Sequence, residues 1–164
     1  MTKPTQDLNF WKQRIEEGGG VEKGMAVGFI WPVIDLIHKQ YIIKNIKSRD
    51  KILDAGCGYG RASGWFKDEN YTGVDFVPEF VEEARRRHPT KKFFLSDLSK
   101  LPFQKKEFDW GLLISVRVVI RSDPNGETKW FKVEKELKRV CRKLLILEYA
   151  NSIPEEIHKA FQIL

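Results

Sequence analysis

The spacing of apolar positions changes character near residue 50 of this 164-residue chain. Before that point the spacing is helical. Leu8, Trp11 and Ile15 recur at steps of three and four, which predicts a short amphipathic helix over Asp7–Glu17 with Asp7 as its N-cap. Gly18, Gly19 and Gly20 break the pattern. Pro32 then suits the first turn of a second helix running to about Ile46, with Ile34, Ile37, Tyr41 and Ile42 as its buried stripe. From Lys51 onward, short apolar runs alternate with helical stretches. Strands are expected at Lys51–Ala55, Tyr71–Asp75, Lys92–Ser96, Phe108–Ser115 and Lys143–Tyr149. Between them, helices are expected at Arg61–Asp68, at Pro78–Arg87 with Phe80, Val81 and Ala84 on one face, and at Gly126–Arg142 with Trp130, Val133, Leu137 and Val140 in step. A last helix is expected at Pro154–Leu164. The fifth strand, KLLILEY, is apolar enough to predict a central position or cover on both faces.

Strands alternating with helices imply a parallel sheet with right-handed crossovers, hence a doubly wound α/β fold. Ligands in such sheets bind beyond the carboxyl ends of the strands, where strand order reverses. Composition changes this picture little: 41% hydrophobic and 32% charged residues are ordinary for a globular domain. No apolar run approaches the roughly 18 residues of a membrane span, and the first 24 residues are too polar for a secretory signal. A cytoplasmic location and no membrane partner are therefore expected. The two cysteines, Cys57 and Cys141, form no C-x-x-C pair and read as structural thiols. A net charge of +6 would suit an anionic partner, but the basic residues are interleaved with acids. Arg85, Arg86 and Arg87 follow Glu82 and Glu83, and Lys105 and Lys106 precede Glu107. A groove that tracks phosphates carries a denser basic stripe, so a small molecule is favoured over nucleic acid as partner.

Three strand ends carry the chemistry. The first strand runs into LDAGCGYGR, Leu53–Arg61. Its glycines, Gly56, Gly58 and Gly60, permit a tight turn and a close approach of backbone to ligand. Such a turn serves structural and NAD sites as well. Asp54 before the first glycine would sit badly beside a pyrophosphate and well near an ammonium or sulfonium group. At the second strand end, Asp75 of GVDF is placed to hold the two hydroxyls of a ribose, with Phe76 beside it. The third ends in Ser96-Asp97-Leu98, where Asp97 could accept from an exocyclic amine while Leu98 and Phe76 pack on a purine.

Taken in order, these segments resemble the class I, Rossmann-like S-adenosylmethionine-dependent methyltransferase family. LDAGCGYGR is similar to its cofactor loop, GVDF to its ribose-binding strand end and SDLSKLPF to its adenine-side loop. FDWGLLISV and LKRVCRKLLILEY match its later elements, and the resemblance spans about residues 34–150. It implies a mostly parallel sheet of order 3-2-1-4-5 and methyl transfer from S-adenosyl-L-methionine to an acceptor, leaving S-adenosyl-L-homocysteine. By that likeness Asp54, Gly56, Cys57, Gly58 and Gly60 surround the methionine moiety, Asp75 and Phe76 the ribose, and Asp97 with Leu98 the adenine. The family's usual strands six and seven are not expected here. The domain is expected over residues 31–164 with a helical cap over 1–30, and the apolar end of the last helix suggests a homodimer. An NAD-dependent oxidoreductase, a non-catalytic S-adenosylmethionine-binding protein and a nucleic-acid methyltransferase remain alternatives.

The acceptor side is less defined. No obvious catalytic base presents itself. His38, on the helix before the first strand, is a candidate, although a surface or half-buried structural histidine is the favoured reading. Arg117 and Arg121 follow the fourth strand and could clamp an anionic acceptor. No carboxylate pair with metal-ligand spacing follows that strand, so no metal is expected. Phe10, Trp11, Phe29 and Trp31 are placed to close over cofactor or acceptor.

Overall fold

The computed structural model describes residues 7–24 and 31–148. Five parallel strands form one sheet: β1 (Ile52–Ala55), β2 (Tyr71–Asp75), β3 (Lys92–Leu95), β4 (Phe108–Ile114) and β5 (Cys141–Leu147), in the order β3-β2-β1-β4-β5. Strand order reverses between β1 and β4, so the switch point lies at the carboxyl end of β1. This is the Rossmann-like doubly wound architecture anticipated from the alternation of elements.

Side-chain alternation along the strands divides the core into two faces. Leu53, Ala55, Val74 and Leu113 point to one face. There they meet Trp130, Val133, Leu137 and Val140 of α6 (Gly126–Val140), the stripe its spacing predicted. On the other face Ile52 and Leu112 meet Ile42 and Ile46 at the end of α3 (Trp31–Asn45), while Tyr71 and Phe93 meet Val81 and Ala84 of α4 (Pro78–Arg87). Pro78 opens α4, where its missing N–H costs nothing. At its other end Arg85 donates to the carbonyl of Phe93 on edge strand β3, at 2.8 Å from Nη2.

Five local expectations are corrected. The stretch after the glycine turn is not the helix Arg61–Asp68 but two 3₁₀ turns, Ser63–Trp65 and Asp68–Asn70. Only ten residues separate Gly60 from Tyr71, too few for a helix and both its connections; Trp65 and Phe66 instead pack beside the end of α3. The buried stripe of α3 is Ile34, His38, Ile42 and Ile46, whereas Tyr41 is 48% exposed. His38 is fully buried, because a four-residue step continues the stripe through it. α6 stops at Val140 and β5 begins at Cys141, two residues earlier than expected, and among the described residues β5 is an edge strand with a half-buried middle. Finally, a six-residue helix, α5 (Val116–Arg121), occupies what read as a loop after β4.

At the amino end α1 (Leu8–Gly18) begins with the expected cap, the Asp7 carboxylate accepting from Phe10 N–H at 3.1 Å. It ends at Gly19 in the left-handed region, and α2 (Val21–Gly24) follows. The expected helix Pro154–Leu164, and the dimer contact assigned to it, lie outside the described residues. No helix among the described residues is long and apolar enough to cross a membrane.

One packing constraint is testable. A Cβ on Gly73 of β2 would lie 2.6 Å from Phe93 Cδ1 and 2.9 Å from Cys57 Sγ, both in the core. Gly73→Ala is expected to destabilise the fold by about 1–3 kcal/mol through overpacking. Urea unfolding measures this as a lower midpoint at unchanged slope.

Candidate functional site

The glycine turn is fastened to the end of β2 by its own amides. Gly56 and Cys57 both donate to the carbonyl of Val74, at 2.8 and 3.0 Å, and Gly58 donates to Asp75 Oδ2 at 2.9 Å. The second Asp75 oxygen accepts from Val77 N–H at 3.0 Å. Burial pushes the Asp75 carboxyl up, and the N–H groups of Val77, Gly58 and Phe76 pull it back. Gly56 takes φ +78°, and a Cβ there would come within 2.6 Å of Val116 Cγ2, so the turn and the start of α5 are in close contact.

The strand ends open into one cavity of about 650 Å³, well within the range of small-molecule sites. Gly56, Asp75, Phe76, Asp97 and Leu98 all line it. Thus five of the nine residues expected around a cofactor share one wall. The other four stand behind it. Gly58 acts through its N–H on Asp75, Cys57 is buried beneath the turn, and Gly60 packs toward His88 and Phe93. Asp54 is only 2% exposed and accepts from the Tyr71 hydroxyl at 2.7 Å. Burial raises its pKa to about 6, against the lowering effects of that hydrogen bond and of Arg61. It supports the turn from below rather than facing the cavity.

Neither catalytic candidate lines the cavity. Burial lowers the pKa of His38 to about 4, aided by Arg61, so the imidazole is neutral inside α3's packing. Arg117 lies 3.6 Å from Glu148, which also accepts from Val118 N–H, so this pair ties α5 to the end of β5. Arg121 pairs with Glu127 of α6 instead. The two arginines therefore serve two different carboxylates and do not converge on a clamp.

The remaining walls come from residues with no assigned role. α5 turns Val116, Val119 and Ile120 inward at helical spacing, and α6 contributes Val133 with Lys129 and Lys132 at the rim. Lys129 is held by Asp123 at 2.7 Å. α1 supplies Asp7, Leu8 and Trp11, the indole standing edge-on to Phe80 with centroids 5.7 Å apart. No residue of α1 is buried, so it covers the cavity without joining the core. Of the aromatics expected to close the site, Trp11 lines the cavity and Phe10 packs against Trp11. Phe29 and the Trp31 side chain lie outside what is described. Ser115, at the tip of β4, adopts φ +58°, an unfavourable conformation for a non-glycine residue, and its buried hydroxyl has no hydrogen-bond partner among the described residues. Arg61 also lines the cavity and is ion-paired with Asp35 of α3. Residue spacing carries no signal for Ser115 or the α5 face, and it shows Arg61 only as the end of the glycine segment, because the pairing of Arg61 with Asp35 joins positions distant in the chain.

Residues 52–143 match the model of the methyltransferase domain family. The chain belongs to that family. Its strand order is that of the class I members, whose cofactor is S-adenosyl-L-methionine. An uncharacterized methyltransferase of Schizosaccharomyces pombe is 31% identical, over 95% of this chain and 59% of its own length. A fatty-acid O-methyltransferase of Mycolicibacterium smegmatis is 30% identical over 46% of this chain and 30% of its own. A crystal structure of a Pyrococcus horikoshii protein superposes with a TM-score of 0.60 at 26% identity, over 70% of this chain and 55% of that one. The chain thus spans less than two thirds of each of these relatives.

The chain carries two buried groups whose titrations oppose one another. The Asp54 carboxyl, raised from 3.8 to about 6, binds a proton in the folded state that the unfolded chain has released, so stability falls as pH rises through that window. His38, lowered from 6.5 to about 4, stays neutral where the unfolded chain is protonated, so its contribution is lost as pH falls. Asp54→Asn removes only the first effect. Relative to the parent, the variant is expected to gain stability between pH 4 and 7, by on the order of 2–3 kcal/mol at most. Thermal unfolding across that range checks this; a difference that ignores pH would show that the carboxyl titrates alike in the folded and unfolded chain.

Proposed function

We propose that this chain transfers a methyl group from S-adenosylmethionine to a small, largely apolar acceptor. The observation that carries the reading is the single cavity shared by the glycine turn, Asp75, Asp97–Leu98 and the aliphatic face of α5. The residues present fit the cofactor. Gly56 brings the backbone of the turn to the cavity wall, Asp75 presents a buried carboxylate suited to ribose hydroxyls, and Leu98 and Phe76 offer apolar contact for a purine. Asp97 lines the same cavity and accepts from Ser99 N–H at 2.7 Å, and a carboxylate held in this way suits an exocyclic amine.

When bound, S-adenosylmethionine supplies a methyl already activated by a positive sulfur, which an acceptor lone pair displaces in line. The chain's own contribution is placement and exclusion of water. Trp11 and Leu8 of α1 close the outer side, and Val116, Val119 and Ile120 present branched aliphatic surface opposite them. The ionisable groups lining the cavity, among the described residues, are aspartates, lysines and Arg61. That set favours an acceptor whose attacking atom carries its lone pair at neutral pH, as a carboxylate oxygen does. The fatty-acid O-methyltransferase among the relatives supports an acid of this kind. Residues 1–30 act as the cap, with α1 as its working part, and the buried thiols of Cys57 and Cys141 suit a cytoplasmic setting.

Incubation with S-adenosylmethionine and a panel of aliphatic acids, amines, phenols and RNA tests the reading. S-adenosylhomocysteine and a methyl ester are expected from the acids, and turnover confined to RNA would sink it. Two substitutions separate the halves of the site. Asp75→Ala is expected to weaken cofactor binding by about tenfold or more, the loss of a charge-assisted hydrogen bond. Trp11→Ala is expected to raise the acceptor KM while the S-adenosylhomocysteine Kd stays near that of the parent.

A further inference from the structure

Charge is distributed unevenly around α6. Glu127 and Glu134, two turns apart on one flank, are paired with Arg121 and Lys138. The other flank borders a surface groove of about 540 Å³ lined by Ser99, Lys132, Lys135, Glu136, Lys138 and Arg139, four cationic side chains against one carboxylate. That carboxylate is already satisfied. Glu136 accepts from Arg139 at 2.7 and 2.8 Å and from Leu101 N–H at 2.8 Å, and Arg139 also donates to the carbonyls of Leu101 and Phe103. Lys132 and Lys135 are exposed, and no carboxylate pairs with either among the described residues.

The groove adjoins the cavity, since Ser99 and Lys132 line both. Of the three cations that line the cavity, Arg61 is held by Asp35 and Lys129 by Asp123, which leaves the Lys132 ammonium without a carboxylate at the junction. Lys135 lies one helical turn further out, about 4.5 Å along the axis. Inside the junction the wall is aliphatic, made by Val133 of α6 and by Val116, Val119 and Ile120 of α5. A chain lying along that wall thus passes from an apolar space to two ammonium groups that nothing neutralises. A hydrocarbon end gains nothing from them. An anionic end pairs with both, at a concave boundary where water screens charge less than on an open face. Lysine suits a carboxylate or a phosphate alike, because its three donors turn on a flexible stem.

We infer that Lys132 and Lys135 form an anion subsite for the far end of the acceptor. The preferred acceptor is then an aliphatic chain with the reacting carboxylate at one end and a second carboxylate or a phosphate at the other. This rests on the methyl-transfer reading above and narrows its substrate. Turnover of octanoic, dodecanoic and hexadecanoic acids, compared with the diacids and the ω-phosphorylated acids of the same lengths, tests it. At the best length a doubly anionic acceptor is expected to exceed the monoacid in kcat/KM by about fivefold or more. A preference for one of the two anions identifies the group that the subsite takes. Lys132→Ala is expected to bring the two kinds of acceptor within about twofold of each other, Lys132→Glu to reverse the preference and Lys132→Arg to keep it. Lys135→Ala is expected to show a smaller loss, and the S-adenosylhomocysteine Kd to stay within about twofold of the parent in all four variants. Equal kcat/KM at every length in the parent, or a preference that survives Lys132→Glu, would overturn the assignment. A Kd for S-adenosylhomocysteine that rises as far as the acceptor KM would give Lys132 to the cofactor and overturn it too. Should the parent methylate no acid, the reaction proposed above falls, and calorimetry on the S-adenosylhomocysteine complex decides the subsite separately. Binding of dodecanedioic acid that Lys132→Glu abolishes supports it, and absence of binding overturns it.

Discussion

The site depends on the way the glycine turn hangs from the carboxyl end of β2. Three consecutive amides, those of Gly56, Cys57 and Gly58, donate to the carbonyl of Val74 and the carboxylate of Asp75. The turn, which approaches a ligand through its backbone, and the carboxylate, which meets a ligand through its oxygens, are therefore one hydrogen-bonded unit. Parallel pairing of β1 with β2 sets the register that brings them together, with Ala55 opposite Val74. A shift by one residue would turn Asp75 to the other face of the sheet and leave three buried N–H groups without acceptors.

Around this unit the polar groups are arranged in two layers. Asp75 and Asp97 face the cavity, while Asp54, Tyr71 and Cys57 lie behind the turn. Burying a carboxyl such as Asp54 is costly unless it is neutralised or paired, and the structure does both in part: its pKa rises to about 6 and the Tyr71 hydroxyl donates to it. Arg61 joins the two layers, reaching the cavity on one side and Asp35 on the other. The loop after β3 is fixed separately. Arg139 of α6 donates to the carbonyls of Phe103 and Leu101, and Glu136 accepts from Leu101 N–H, so α6 anchors the segment that presents Asp97 and Leu98.

The half of the cavity walled by α5 and α1 is built differently. Its walls are short or lightly anchored: α5 has six residues, none of them buried, and α1 covers the cavity with no buried residue of its own. α5 is tied down by the Arg117–Glu148 pair and the Arg121–Glu127 pair, and α1 by the edge contact of Trp11 with Phe80. α5 also packs Val116 and Ile120 against the core, whereas α1 has no buried residue, so local opening costs least at α1.

Sequence alone determined the sheet and its strand ends, because apolar alternation and the glycine turn are local signals written in consecutive residues. LDAGCGYGR, GVDF and SDL were legible as three ends of neighbouring strands before any fold was known. Position of the helices was legible where a stripe was unambiguous, as in α4 and α6, and failed where length decided, as in the 3₁₀ turns after Gly60. Only the tertiary structure decided which polar residues face the cavity. It placed His38 in the core and Asp54 behind the turn, gave Arg117 and Arg121 to separate carboxylates, and brought Arg61 to the wall beside Gly56. The reason is physical: a charged side chain goes where a partner compensates its loss of water, and those partners, Asp35, Tyr71, Glu148 and Glu127, lie between 6 and 31 residues away along the chain.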